Sequence, residues 1–152
     1  MTAPLLEIKE LKTYFYTRAG VVKAVDNISL TINKGEVIGI VGESGSGKSV
    51  TGFSIMGLVD HPGRIAGGSI RFKGRELVGQ TEAQWRTFRG NEVAMIFQDP
   101  MKTLHAVLRI DTQMMEAIRT HEKVSRKEAR ERSVKALAQV GIPSPEERIK
   151  AY

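Results

Sequence analysis

Val37-Ile38-Gly39-Ile40-Val41 runs directly into Gly42-Glu43-Ser44-Gly45-Ser46-Gly47-Lys48-Ser49, and Lys48–Leu58 follows with a helical pattern. Residues 42–49 match G-x-x-x-x-G-K-S/T at every fixed position. The apolar run before them is β-branched at four positions and suits a strand buried on both faces, as in a parallel sheet. Strand, glycine-rich loop and helix in that order form the setting in which such a match has chemical meaning. A polyphosphate needs many donors at close range. Gly42, Gly45 and Gly47 let the backbone curl so that successive N–H groups face inward, with Glu43, Ser44 and Ser46 between them. The first turn of the helix, through Val50, adds its free amides and dipole. Lys48 supplies a compact charge for the terminal phosphates. Ser49 supplies a hydroxyl for Mg²⁺, a cation that prefers oxygen ligands. A nucleoside triphosphate with Mg²⁺ is therefore the expected ligand, although the loop alone does not choose among GTPase, kinase, helicase and transporter ATPase.

Upstream, Leu5–Phe15 alternates loosely and is rich in β-formers, which predicts a strand. Arg18–Gly20 is a turn signal. Val21–Val25 and Ile28–Ile32 are short β-branched runs separated by Asp26-Asn27, and Asn33-Lys34-Gly35 is a tight turn. Downstream, the glycines and proline of Asp60–Gly68 predict a loop. Ser69–Phe72 reads as a strand closed by Lys73-Gly74, and Thr81–Arg89 as a short helix around Trp85. Val93–Phe97 reads as a second short apolar strand, broken by Gln98-Asp99-Pro100. The remainder is helical. Ile110–His121 is one helix, and Ser125–Val140 is another, with Ser125 and Glu128 in capping-box spacing and Gly141 at its stop. Ser144-Pro145-Glu146-Glu147 opens a third, with a cap expected at Ser144.

The chain of 152 residues suffices for one domain with a core. It has no cysteine, which excludes disulfide scaffolds, thiolate metal sites and cysteine nucleophiles. The start carries mixed charge without an apolar h-region, so no signal peptide is expected. The longest nearly apolar run, Val37–Gly42, is far too short to span a membrane. A net charge of +6 favours anionic partners. The basic stretch Arg119–Lys135 is interrupted by Glu122, Glu128 and Glu131, so it reads as a solvated face, and no nucleic-acid partner is expected. Met114, Met115, Val134, Leu137 and Val140 read as helix packing.

Gly35-Glu36, the strand-loop stretch, and Ser54-Ile55-Met56-Gly57-Leu58 together resemble the ATP-binding subunits of ABC transporters, most of all the oligopeptide/dipeptide importer group. Gly67-Gly68-Ser69-Ile70-Arg71-Phe72-Lys73-Gly74 resembles the family's strand-turn after that helix, and Met95-Ile96-Phe97-Gln98-Asp99-Pro100-Met101 resembles its Q-loop. The chain departs from the family at His105-Ala106, where Asn-Pro is usual. The resemblance implies an α/β fold: a P-loop NTPase core of the ABC ATPase type, with an antiparallel β subdomain and the start of a helical subdomain. It implies a division into 1–100, carrying the β subdomain, Walker A loop and Q-loop, and 101–152, the incomplete helical part.

The resemblance also implies roles. Lys48 and Gln98 serve catalysis, with Gln98 reaching Mg²⁺ and the attacking water, and Ser49 ligating the metal. From its own flanks alone, Gln98 reads rather as a polar residue closing a strand before Asp-Pro. An aromatic of Tyr14-Phe15-Tyr16 stacks on adenine. Spacing favours Phe15, with Tyr16 or Tyr14 as the alternatives, the others being ordinary strand packing. The implied partners are a membrane permease, a second ATP-binding subunit arranged head to tail and, indirectly, an extracytoplasmic solute-binding protein. The implied location is the cytoplasmic face of the plasma membrane. The family's signature motif, Walker B strand, catalytic Glu and switch His do not occur in these 152 residues, so the chain is expected to be truncated and to hydrolyse little ATP by itself. The alternatives are a nucleotide-binding fragment without turnover and a different P-loop enzyme such as a kinase. The resemblance further implies that strands later in the family's sequence lie between Val37–Val41 and Val93–Phe97, so both segments are expected to present unpaired apolar edges here.

Overall fold

Strand β1 (Leu6–Thr17) turns over Arg18-Ala19 into β2 (Gly20–Ile32), and the two pair antiparallel. The computed structural model describes residues 3–99 and 103–152; Pro100 and Met101, at the end of the expected Q-loop, lie outside them. The other edge of β1 pairs with β3 (Gly63–Phe72), and β4 (Arg75–Glu76) closes a four-stranded sheet of order β2-β1-β3-β4. β1 therefore lies inside the sheet and buries Leu6, Ile8, Leu11 and Thr13.

That burial pattern changes parity between Ile8 and Leu11. The cause is a bulge: two residues of β1 face one of β2, and Glu10 takes φ 49° with its N–H donated to Ser29 Oγ at 3.0 Å. Gly68 of β3 lies against the carbonyls of Lys9 and Glu10, where a Cβ would collide. The expected loop over Asp60–Gly68 is thus a strand from Gly63 onward. Gly63 closes a short turn, its N–H donating to Asp60 O at 2.8 Å, while Gly68 marks close approach to β1. On β2, the Asp26-Asn27 interruption is likewise a bulge within one strand, with Asn27 at φ 61°.

Helix α1 (Lys48–Met56) is shorter than the expected Lys48–Leu58 and buries Thr51, Ser54 and Met56. It ends because the Leu58 N–H reaches Phe53 O at 2.8 Å and the Gly57 N–H reaches Ser54 O at 3.3 Å. Helix α2 (Glu82–Phe88) starts on a reciprocal cap: the Thr81 N–H donates to Gln84 Oε1 at 2.8 Å, and the Gln84 N–H to Thr81 Oγ1 at 3.4 Å.

The chain divides into two compact units, Met1–Arg86 and Thr87–Tyr152. The second contains α3 (Ile110–His121), α4 (Arg126–Gln139) and α5 (Pro145–Arg148). Ser125 caps α4 by accepting from the Glu128 N–H at 3.1 Å, as its spacing predicts. The expected cap at Ser144 is absent. Ser144 sits at φ 49°, and its carbonyl rather than its side chain accepts from the Glu147 and Arg148 N–H groups at 3.0 Å. The short helix is held from its far end. Ile149 is buried, and the Ile149 and Ala151 carbonyls accept from Asp111 and Ile110, two N–H groups that the start of α3 would otherwise leave open. Met115, Ala129 and Ser133 are buried, Met114, Val134 and Leu137 are half-buried, and Val140 is exposed at the end of α4 instead of packing.

Two expected strands do not form. Val37–Val41 and Val93–Phe97 have no ladder partner among the described residues beyond a single Arg89–Val93 bridge. Val37 and Val41 are each 96% exposed, and Ile96 is 98% exposed. A strand needs a neighbour for its N–H and C=O groups, and apolar character does not supply one.

Candidate functional site

The glycine-rich loop enters α1 through Gly47, which takes φ 90°. A Cβ at Gly47 would strike the carbonyl of Ala24 and lie 3.5 Å from the Val25 side chain. Glycine is thus required twice over at this position, by backbone angle and by space. Ala24 is itself the extra residue of a β2 bulge, since Thr13 pairs with Val25 and Tyr14 with Lys23. That bulge brings a main-chain carbonyl against the helix entrance. Inside the loop, the Ser46 N–H reaches Glu43 O at 3.2 Å, and a Cβ on Gly42 would lie 2.7 Å from Ser46 Oγ.

The Lys48 ammonium folds back over the loop. It donates to Gly42 O at 2.7 Å, Glu43 O at 2.6 Å and Ser46 Oγ at 3.3 Å. All three of its donors are engaged, so its charge is fixed over the curl of the loop rather than waving in solvent. Ser44, Gly45 and Ser49 are exposed; Val50 is half-buried, and its carbonyl accepts from Ser54 Oγ at 2.7 Å. A glycine-rich turn, a helix N-terminus and an ammonium thus meet at one place, a combination of the kind that binds phosphate groups.

The three aromatics divide between the two faces of the sheet. Thr13 faces α1 and shares a 2.8 Å hydroxyl contact with Ser54. β1 pairs with β3 without a break from Thr13 to Phe15, so Phe15 faces the same side. Its ring lies by Gly63 and Val59, just beyond α1. Tyr14 and Tyr16 face the opposite side. The Tyr14 hydroxyl donates to Asp26, and Lys23 stands 5.5 Å over its ring. That hydrogen bond raises the Tyr14 pKa, with partial desolvation and the Asp26 charge adding to it; the same bond lowers the Asp26 pKa. Arg64 lies 4.2 Å from the centre of the Tyr16 ring. Among the sequence-derived positions, Gly42–Val50 and the aromatics belong to the first unit. Gln98 is exposed and belongs to the second. No sequence motif assigns a role to Ala24 or Thr13, and Ser54 enters only as part of the stretch that resembles the family; a polar residue inside an apolar strand is the only hint at Thr13.

The family model described as ABC transporter matches residues 25–151. The dipeptide transport ATP-binding protein DppD of Haemophilus influenzae is 47% identical over 148 residues, covering 97% of this chain and 45% of that protein. The oligopeptide transport ATP-binding protein AppD of Bacillus subtilis is 46% identical over 149 residues, with the same two coverages. The chain thus spans less than half the length of these curated relatives. Among solved structures, the dimeric post-hydrolysis ATP-binding cassette MJ0796 bound to ADP and Pi superposes with a TM-score of 0.79 at 20% identity, over 96% of this chain and 60% of that one. A nucleotide-free ATP-binding cassette from an ABC transporter gives 0.55 at 22% identity, over 97% of this chain and 50% of that one. The antiparallel sheet, the loop-helix unit and the helices after it thus share the cassette fold. With a family match covering most of its residues, the chain belongs to the ABC transporter family.

Proposed function

We propose that this chain is the nucleotide-binding portion of an ATPase subunit that energises peptide import through a membrane permease. The observation that carries this reading is the Lys48 ammonium held over the curled loop by Gly42, Glu43 and Ser46. The 3.3 Å contact to Ser46 is the weakest of the three and is the one a phosphate oxygen would replace. Residues 42–50 wrap the phosphates with main-chain amides, and Ser49 offers its hydroxyl to the metal. When bound, Mg²⁺ neutralises phosphate charge and lines up the terminal group for attack by water. Phe15 is the aromatic for adenine, because it shares a sheet face with α1 while Tyr14 and Tyr16 do not. Gln98 contributes to the metal and the water, as the family resemblance implies.

Peptide cargo rests on similarity to the dipeptide and oligopeptide transport proteins. A second ATP-binding subunit is proposed to pair with this one head to tail, in line with the dimeric cassette among its structural neighbours. The permease would dock on the helical unit, where α3 and the start of α4 leave a cleft of about 420 Å³ lined by Thr112, Met115, Glu116, Arg119, Thr120 and Arg126. An extracytoplasmic solute-binding protein would deliver the peptide. Among the described residues no helix is long and apolar enough to cross a membrane, which accords with peripheral attachment at the cytoplasmic face.

The test is calorimetric titration with Mg-ATP. Lys48→Ala removes a charge-assisted donor set and should weaken binding by roughly 10- to 100-fold while the far-ultraviolet circular dichroism stays unchanged. Unchanged affinity would remove the basis of the reading. A second reading, nucleotide binding without turnover, is favoured for these 152 residues taken alone, because they contain no Ser-Gly-Gly signature. Phosphate release at background rate from a sample that binds Mg-ATP would support it.

A further inference from the structure

We infer that the buried hydroxyl pair Thr13–Ser54 is a positioning device that fixes the adenine-facing strand β1 against the phosphate-binding helix α1. Base and triphosphate are then read at one set spacing. The inference rests on the nucleotide reading above and extends it to two residues outside the loop.

Both side chains are fully buried, and their oxygens lie 2.8 Å apart across 41 residues of sequence. Ser54 has a single hydroxyl proton, which goes to Val50 O at 2.7 Å. Ser54 must therefore accept from Thr13, so the direction of the bond is set. The chain from phosphate to base is short. Ser54 lies six residues after Lys48, about 9 Å along the helix axis. Phe15 lies two residues after Thr13, about 7 Å along the strand. The pair thus joins the element that carries Lys48 to the element that carries Phe15, on the face of the sheet that α1 covers.

The residue types are informative. Buried hydroxyls add little net stability over apolar groups of the same shape. Apolar packing would hold α1 on the sheet equally firmly, yet would tolerate sliding. A directional bond to one acceptor does not. A second contact fixes the helix at its other end, where Gly47 rests against the Ala24 carbonyl. A shift of α1 along the sheet would therefore break the Thr13–Ser54 bond or alter the close approach of Gly47 to the Ala24 carbonyl.

The experiment compares Mg-ATP with Mg-tripolyphosphate by calorimetry on the 152-residue chain. Tripolyphosphate reports the loop alone, and the ratio of the two affinities reports how well the base is placed. Thr13→Val keeps the shape and removes the donor. It should weaken ATP about 3- to 10-fold while leaving tripolyphosphate within about 2-fold, and Thr13→Ser should restore the ratio. Ser54→Ala should lower the ratio as well, and the double variant should lower it no further than Ser54→Ala does. If Ser54→Ala does not fold, the two Thr13 variants decide the matter. A parallel fall in both affinities, or an unchanged ratio in Thr13→Val, overturns the proposal. An unaltered chain that binds neither ligand overturns the nucleotide reading itself. One that binds tripolyphosphate as tightly as ATP overturns the placement of the base on Phe15, and this proposal with it.

Discussion

β1 and the segment Val37–Val41 are both rich in β-forming residues, yet only one of them is a strand. β1 has β2 on one edge and β3 on the other, and it buries Leu6, Ile8, Leu11 and Thr13. Val37–Val41 has a more continuous apolar sequence and no ladder partner among the described residues, and its two end valines are 96% exposed. The difference teaches that strand formation is a property of pairs. Propensity and pattern say that a segment would fit a pleated, buried surface; they do not provide the surface.

The largest expected effect separates the two segments directly. Leu11→Ala empties a fully buried position of β1 and should cost about 2–5 kcal/mol. Val41→Ala removes an exposed side chain and should change stability by no more than about 0.5 kcal/mol. Urea unfolding followed by Trp85 fluorescence measures both, since Trp85 is buried in the same unit and is the sole tryptophan of the chain. A cost of several kcal/mol at Val41 would show that the segment is covered in solution, and the contrast would collapse.

What the sequence disclosed follows the same division. The glycine-rich loop was legible because its chemistry is local: eight consecutive residues carry the curl, the charge and the hydroxyl. The ends of α3 and the cap at Ser125 were legible for the same reason. The role of Gly68 was not, since a glycine that opens a turn and one that admits a neighbouring strand look alike until the neighbour is known. Neither were the bulges at Glu10, Ala24 and Asn27, which exist only as mismatches between two strands. The Thr13–Ser54 pair joins residues 41 apart, and no periodicity announces it. Spacing alone favours Phe15 among the three aromatics as the proposed adenine platform, and the face that β1 turns toward α1 adds a second reason.

A smaller effect tests whether a local signal can fail for want of its context. Ser125 and Ser144 both precede a helix with acid in its first turn, yet only the Ser125 side chain accepts a hydrogen bond there. Ser125→Ala should cost about 1 kcal/mol of the helical unit's stability. Ser144→Ala should fall within about 0.5 kcal/mol, because α5 is held by Ile149 and Ala151 docking on α3 and not by its cap. Thermal melts read at 222 nm would show the contrast. Equal losses would mean that the Ser144 side chain caps in solution after all.

The smallest effect concerns the outer face of the β1–β2 pair, where pairing rather than deep burial acts. The Tyr14 hydroxyl holds the Asp26 carboxyl below the usual carboxylate range, with the Lys23 and Lys12 charges assisting and desolvation opposing. Folded Asp26 therefore takes up a proton less readily than the unfolded residue. Its contribution is present above a pH of about 4 and is lost as pH falls through the folded value. The same bond raises the Tyr14 pKa, so on the alkaline side the contribution is present below a pH of about 10 and is lost as pH rises through the folded value. Tyr14→Phe keeps the ring under Lys23 and removes the hydroxyl. The stability difference between parent and variant should be flat across neutral pH and shrink at both extremes. Because both groups are exposed, the plateau should be small. A difference that instead grows below pH 4 would mean that the phenol stabilises the protonated carboxyl, and the outer rung of the hairpin would then be no better paired than the bare segment at Val37–Val41.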